Sequence, residues 1–236
     1  MNQNTNDIFN GEFSRRYDAG NARFNTISDN LHFLIALLLK DLSVNAHILC
    51  VGVGTGTEMI HLARQYPSWR FTGVDPSADM LAVCAAKLRQ AKISERCTLV
   101  EGYLQDLPSA PDYDAVLCLL VTHFILDDAR GGLYRHMASR LNTAGQVVIA
   151  EISGDTTAAD FDQHLASWAA MQSLDGQTPR TPVELRAQLQ QRLLLLPPEH
   201  TERLIAEAGF SPPQRFFQSL LIHAWTARKP AIKNPA

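Results

Sequence analysis

The sequence predicts an α/β domain in which a mostly parallel sheet is covered by helices. Three features carry this reading. Short apolar runs alternate with helical patterns along most of the chain. The first run ends in a glycine-rich turn that opens directly into a helix. The last two runs lie too close together for a crossover helix and should pair antiparallel. The pattern is five β/α units, a helical insertion, one further helix and a terminal hairpin, giving seven strands.

The elements follow in order. Ser28 is placed to cap a helix with apolar positions Leu31, Leu34, Ile35, Leu38 and Leu42. His47–Val51 is a buried strand that ends at Gly52. A helix starts near Thr57 and stops before Pro67. Arg70–Val74 is the second strand, ending at Asp75. Ser77 caps the next helix, which carries Met80, Leu81, Cys84 and Leu88 on one face. Thr98–Glu101 and Ala115–Leu120 are the third and fourth strands. Asp127 is expected to cap a helix bearing Leu133, Met137 and Leu141. Asn142–Gly145 then turns the chain into the fifth strand, Gln146–Glu151. Residues 155–197 read as two helical stretches around a turn at Asp175–Pro182. Glu199–Ala208 is a helix ending on Gly209, a residue suited to the left-handed cap position. The strands Gln214–Ser219 and Leu221–Ala227 close the pattern.

Composition narrows the class. The 236 residues carry 21 basic and 24 acidic side chains, a net charge of −3, which disfavours a strongly basic nucleic-acid module. Arg15, Arg16 and Arg23 could still form a local basic patch. Apolar residues make up 46%, ordinary for a packed globule and too many for a disordered chain. The polar start has no apolar signal segment. The longest apolar runs, Phe33–Leu39 and Ala115–Val121, have seven residues, where a membrane span needs about 20. Cys50, Cys84, Cys97 and Cys118 lack metal-ligand or disulfide spacing and read as reduced core residues of a cytoplasmic protein. His164, His200 and His223 show no metal-ligand spacing either, so no metal is expected.

The stretch Cys50-Val51-Gly52-Val53-Gly54-Thr55-Gly56-Thr57-Glu58 carries most of the chemistry. Glycines let the backbone turn tightly and approach a ligand, and a helix N-terminus offers unpaired N–H groups. A dinucleotide fingerprint would need glycine where Thr57 stands, which counts against NAD or FAD. Asp75 lies 23 residues beyond Gly52, at the end of the second strand, where its carboxylate can accept ribose hydroxyls. His123 and Phe124 follow the fourth strand at the mouth of the same crevice. His123 is the candidate base, titrating from an ordinary pKa of about 6.5, or else a packed histidine bonded to backbone. Tyr17, His32 and Glu151 are weaker candidates.

With these residues in place the sequence resembles the class I S-adenosylmethionine (SAM) dependent methyltransferases over about residues 13–227. The resemblance rests on V-G-V-G-T-G, G-V-D-P-S-A-D-M-L, V-E-G-Y-L-Q-D-L-P, Y-D-A-V-L-C-L-L-V-T-H-F and L-I-A-E-A-G-F. It implies a three-layer Rossmann-like sandwich with a seven-stranded, mostly parallel sheet and an antiparallel last strand. It implies a single SAM-binding domain over 13–228, flanked by tails at 1–12 and 229–236. An N-terminal helical lid and a helical cap at 155–197 should cover the crevice, with Trp168 and Met171 of the cap lining an acceptor pocket or simply packing.

Residue roles follow from the same resemblance. Gly52, Val53, Gly54 and Gly56 should pass beneath the methionine and ribose of SAM, and Asp75 should bind the ribose diol. Pro76 and Met80 should lie near the adenine, with Tyr103 and Leu104 on its other face. Leu119 should offer its carbonyl to the methionine ammonium. Tyr17, with Asp18, should close over the site. Two positions depart from the family. An acidic residue is common at position 50, where this chain has Cys50, and an aspartate at position 103, where it has Tyr103.

The implied reaction moves the SAM methyl group in line to a small-molecule acceptor and leaves S-adenosylhomocysteine (SAH). No direct nucleic-acid or membrane partner is expected, and a homodimer is compatible with the sequence. Two alternatives stay open. The segment P-E-H-T-E-R-L-I-A-E-A-G-F is similar to carboxy-SAM synthases of tRNA wobble-uridine modification, with Arg203 near their carboxylate-binding arginine but one residue out of register. A non-catalytic SAM-fold binding protein is the other.

Overall fold

In the computed structural model, described over residues 11–110, 112–172 and 181–231, the strands lie close to where periodicity placed them. Of the expected tails, 1–12 and 229–236, residues 1–10 and 232–236 fall outside the described residues, as does most of the expected turn at Asp175–Pro182; the helix that follows 1–10 already starts at Gly11. The strands are β1 (His47–Val51), β2 (Arg70–Asp75), β3 (Cys97–Glu101), β4 (Tyr113–Leu119), β5 (Leu141–Ile152), β6 (Gln214–Ser219) and β7 (Ile222–Arg228). They form one sheet in the order β3-β2-β1-β4-β5-β7-β6. β7 runs antiparallel to both its neighbours, and the other pairs are parallel. The helices are α1 (Gly11–Gly20), α2 (Asn25–Leu38), α3 (Thr57–Gln65), α4 (Ala78–Gln90), α5 (Asp127–Arg140), α6 (Phe161–Gln172), α7 (Pro182–Arg192) and α8 (Pro198–Glu207).

Alternation along the strands divides the core into two halves, because successive side chains point to opposite faces. Ile48, Cys50, Phe71, Leu117 and Ala150 face α2, α3, α4, α6 and α7. Leu49, Val51, Val116, Cys118, Ile149 and Trp225 face α5 and α8. The expected three layers are therefore present. Each side chain buried this way contributes about 1.5–3 kcal/mol from removal of apolar surface from water. All four cysteines are free thiols, three of them buried and Cys97 partly so.

Most ends shift by one or two residues, and three boundaries differ in ways that bear on caps and turns. α2 begins at Asn25, continuing a 3-10 turn at Ala22–Phe24, so Ser28 lies inside the helix and caps nothing. Asp127 is the first residue of α5 and makes no cap; its carboxylate instead meets His200 at 3.0 Å. β5 begins at Leu141, because Tyr113 already pairs with Leu141 before the ladder resumes at Ala115 and Gln146. The expected turn survives within that irregularity, where Ala144 takes φ 63. Ser77 caps α4 as expected, accepting the Met80 N–H at 3.2 Å. Among the described residues no helix is long and apolar enough to cross a membrane.

Candidate active site

The glycine loop is locked from below by β2. The N–H groups of Gly52 and Val53 both donate to the Val74 carbonyl, at 2.8 and 3.2 Å. The Asp75 carboxylate accepts the Gly54 N–H on one oxygen and the Ser77 N–H on the other, each at 2.9 Å. Asp75 is thus a clamp between the loop and the start of α4. Each of its oxygens keeps a second lone pair for a ligand hydroxyl. Burial raises its pKa against the two N–H bonds, which lower it.

Glycine is demanded here for two reasons. Gly52 and Gly56 have φ of 66 and 76, where a side chain is strained. A Cβ on Gly52 would lie 2.5 Å from Val121 Cγ2, and one on Gly56 would lie 2.5 Å from Cys84 Sγ. Gly56 leaves α3 without a side-chain cap, so the first-turn N–H groups of that helix open toward the strand ends.

A cleft of about 570 Å³ lies between the carboxyl ends of β1, β2 and β4, the loop after β3, and α5. Of the residues picked out from sequence, Gly52, Pro76, Tyr103 and Leu104 line it. Gly54, Gly56, Asp75 and Leu119 are not in its lining. Val53 is buried, its Cγ1 2.9 Å from where a Gly73 Cβ would stand, so it packs inward. Met80 is also buried, beneath Gly54. Leu119 ends β4, and the chain then turns at Leu120, with φ 59.

Sequence reading missed the α5 wall of Ala129, Gly132, Leu133 and His136. The signal was the pair Gly131-Gly132 in a helix interior, an unfavourable choice that leaves room in the wall at Gly132.

α1 seals the other side of the loop. Thr55 Oγ1 donates to Asp18 Oδ1 at 2.8 Å, and Lys87 Nζ of α4 donates to Asp18 Oδ2 at 2.8 Å. Lys87 also reaches Thr55 and Thr57, both at 3.1 Å. Tyr17 beside them is partly buried. Desolvation first, then the charges of Glu58, Asp18 and Asp75, push its pKa up to about 12. Both residues expected of the lid therefore stand at the glycine loop. Arg15 and Arg16 side chains lie outside the described residues; Arg23 sits 5.6 Å over the Phe24 ring.

His123 stands in the wall and not in the cleft. It is buried, and its Nδ1 accepts the Ile152 N–H at 3.2 Å. Desolvation, then the Arg130 charge, lowers its pKa to about 3. The expected titration near 6.5 is thereby corrected: His123 is neutral across the physiological range.

Around it runs a network whose charged pair is fully buried. Arg130 NH1 meets Glu151 Oε2 at 3.1 Å with both side chains inaccessible. Thr122 and Thr201 donate to the two Glu151 oxygens. Arg130 also donates to the carbonyls of Ile125 and Leu194. Glu151 is committed to this network. His32 lies in α2 near His61, ring centroids 5.5 Å apart. Arg203 is exposed on α8 and reaches the Glu199 carbonyl at 3.5 Å. Among the described residues no cluster of three potential metal ligands occurs.

A seven-stranded sheet with only β7 reversed, joined to a glycine loop clamped by an acidic residue on β2, defines the class I methyltransferase architecture. Residues 48–145 match the model of the methyltransferase domain.

Solved structures share the fold. Magnesium protoporphyrin IX methyltransferase from Synechocystis, with bound SAH, is 15% identical with a TM-score of 0.70, over 97% of this chain and 100% of that one. A candidate O-methyltransferase from Nostoc punctiforme is 19% identical with a TM-score of 0.66, over 92% of this chain and 59% of that one. An O-methyltransferase family protein from Burkholderia thailandensis is 12% identical with a TM-score of 0.64, over 99% and 62%. The chain thus spans about three fifths of the length of the latter two. A comparison with curated protein sequences finds no match.

Proposed function

We propose that the chain is a class I methyltransferase that takes SAM, leaves SAH, and methylates a small-molecule acceptor by in-line displacement. The observation that carries this is the cleft at the strand ends, set against a glycine loop held by Asp75. Its residues suit SAM. Val74, Pro76, Leu104, Ile125 and the Tyr103 ring make an apolar slot for a flat purine. Asp75 keeps acceptor capacity for ribose hydroxyls. Among the described residues, Asp18, Glu58 and Asp75 stand around the loop with Lys87 as the cation between them, which suits a positively charged ligand. The neighbour from Synechocystis, which acts on a porphyrin, supports a small acceptor.

When bound, SAM supplies an electrophilic methyl group on a sulfonium. The chain's own residues align the partners and exclude water. α1, pinned through Asp18, and Tyr17 cover the loop side. The domain over 13–228 includes the 155–197 segment as a cap on the acceptor side. Trp168 packs against Phe24 at 5.2 Å, which ties that cap to the 3-10 turn between α1 and α2. Trp168 is fully buried, so partly buried Met171 is the better candidate to meet an acceptor. With His123 neutral and its Nδ1 occupied, the site favours an acceptor that needs no base.

Mass spectrometry of nucleosides released from the purified, denatured protein tests the reading. SAM or SAH supports it. A carboxylated SAM in their place would assign the chain to the synthase reaction instead.

A further inference from the structure

The outer face of α2 is apolar where a surface helix is ordinarily polar. Leu31, Ile35 and Ala36 turn toward the core. On the opposite side Phe33 is 52% exposed and Leu37 48%, four residues apart and so one above the other. Val44, shortly beyond the helix, is 73% exposed. Six large apolar side chains are exposed among the described residues, and half of them gather along this one stretch, a concentration that marks a contact surface. Charges of both signs bound the stripe. Asp29 lies one turn before Phe33, and Lys40 lies about one turn after Leu37. Both are exposed, and among the described residues neither side chain has an ion-pair partner. Asp29 stands near His32 and His61, but burial lowers both imidazoles, that of His32 to about 4, so neither offers it a charge at neutral pH.

We propose that this face docks on the same face of a second copy of the chain, the two α2 helices lying antiparallel across a two-fold axis near residue 35. Positions 29 and 40 are nearly equidistant from that point, as are 33 and 37. A two-fold axis repeats every contact, so Asp29 of each copy meets Lys40 of the partner subunit, and Phe33 packs beside Leu37 of the partner subunit. A parallel pairing would instead set Asp29 against Asp29 and Lys40 against Lys40. α2 has 14 residues and is about 21 Å long. One such helix against its copy falls short of the roughly 1,200 Å² of a stable interface, so the dimer is a weak one, dissociating on the order of 10–100 µM. No residue that lines the cleft lies on this face, and the proposal is independent of the use of SAM.

Sedimentation velocity tests the pairing. Wild-type protein should pass from monomer to dimer over about 1–300 µM. Phe33→Glu should raise the dissociation constant about 10-fold or more with the melting temperature unchanged, since the side chain is exposed in the monomer. Leu37→Glu serves if that variant does not fold. At low salt Asp29→Lys and Lys40→Glu should each weaken the dimer about 3- to 10-fold, because each sets two like-charge contacts across the axis. The double variant Asp29→Lys, Lys40→Glu exchanges both partners at once and should return to within about two-fold of wild type. A dimer undiminished by Phe33→Glu would place the interface elsewhere, and a double variant no stronger than the single ones would overturn the antiparallel pairing. A wild-type protein monomeric throughout would overturn the proposal, and one that dimerises only after removal of residues 1–10 would give the face to that segment instead.

Discussion

At the scale of single residues, the side chains that look chemical in sequence divide by what already occupies them. Asp75 holds two backbone N–H groups, so truncating it removes more than a ribose contact. Asp75→Asn keeps an acceptor for only one of them. It should weaken SAH by about 10-fold, near 1–3 kcal/mol, and also lower the melting temperature. A loss of affinity with unchanged stability would mean that Asp75 serves the ligand only. His123 is the reverse case. Its position beyond β4 was readable from sequence, but its burial was not, because Ile152 and Arg130 reach it from distant segments. No inflection in rate near pH 6.5 should come from it. His123→Ala should destabilise the fold by roughly 1–3 kcal/mol through the unpaired Ile152 N–H, read by denaturant melts.

At the scale of elements, most of the fold was legible because strand and helix periods and turn chemistry agree in this chain. The failures fall where tertiary contacts override local signals. Asp127 resembles a cap in sequence, yet His200 from α8 takes its carboxylate. α5 reads as an ordinary surface helix, yet it buries Arg130 and lends a wall to the cleft. The proposed lid, α1, is the element whose behaviour is most open to test. Asp18 joins α1 to the glycine loop through Thr55 and Lys87. Lys87→Met removes one arm while keeping the aliphatic stem. It should free α1, raise protease cleavage within residues 11–20, and weaken SAH several-fold with little change in melting temperature, since a partly exposed ion pair adds only about 0–1 kcal/mol. Protection of α1 equal to wild type would show that other contacts hold the lid.

At the scale of the whole molecule, buried charge decides how stability responds to pH. His32, His123 and His223 have pKa values lowered to about 4, 3 and 4, each chiefly by desolvation. Their folded values lie below their unfolded ones, so their stability is full above about pH 6.5 and is lost as pH falls toward 4. Glu58 acts in the opposite sense. Its folded pKa of about 7 lies above the unfolded value, so stability falls as pH rises from about 4.5 through 7. The three histidines outweigh the one carboxylate from about pH 4 to 7, so melting temperature should rise over that range, and Glu58→Gln should steepen the rise. The Arg130–Glu151 pair ties β5, α5, α8 and the end of the insertion into one body. Removing one partner leaves a buried charge alone, so Glu151→Ala should cost about 3–5 kcal/mol in urea unfolding. A loss under about 1 kcal/mol would show that the network relaxes without cost.

The cleft beside the glycine loop is the centre of the functional reading, and a titration of wild-type protein with SAH and with NAD reaches it most directly. SAH should bind at one site per chain with a dissociation constant on the order of micromolar, in the range usual for small-molecule sites. Ala129→Trp, which places a large ring in the cleft from α5, should abolish that binding without unfolding the protein. NAD should not compete. Undiminished SAH binding in Ala129→Trp, or binding of NAD in place of SAH, would contradict the assignment.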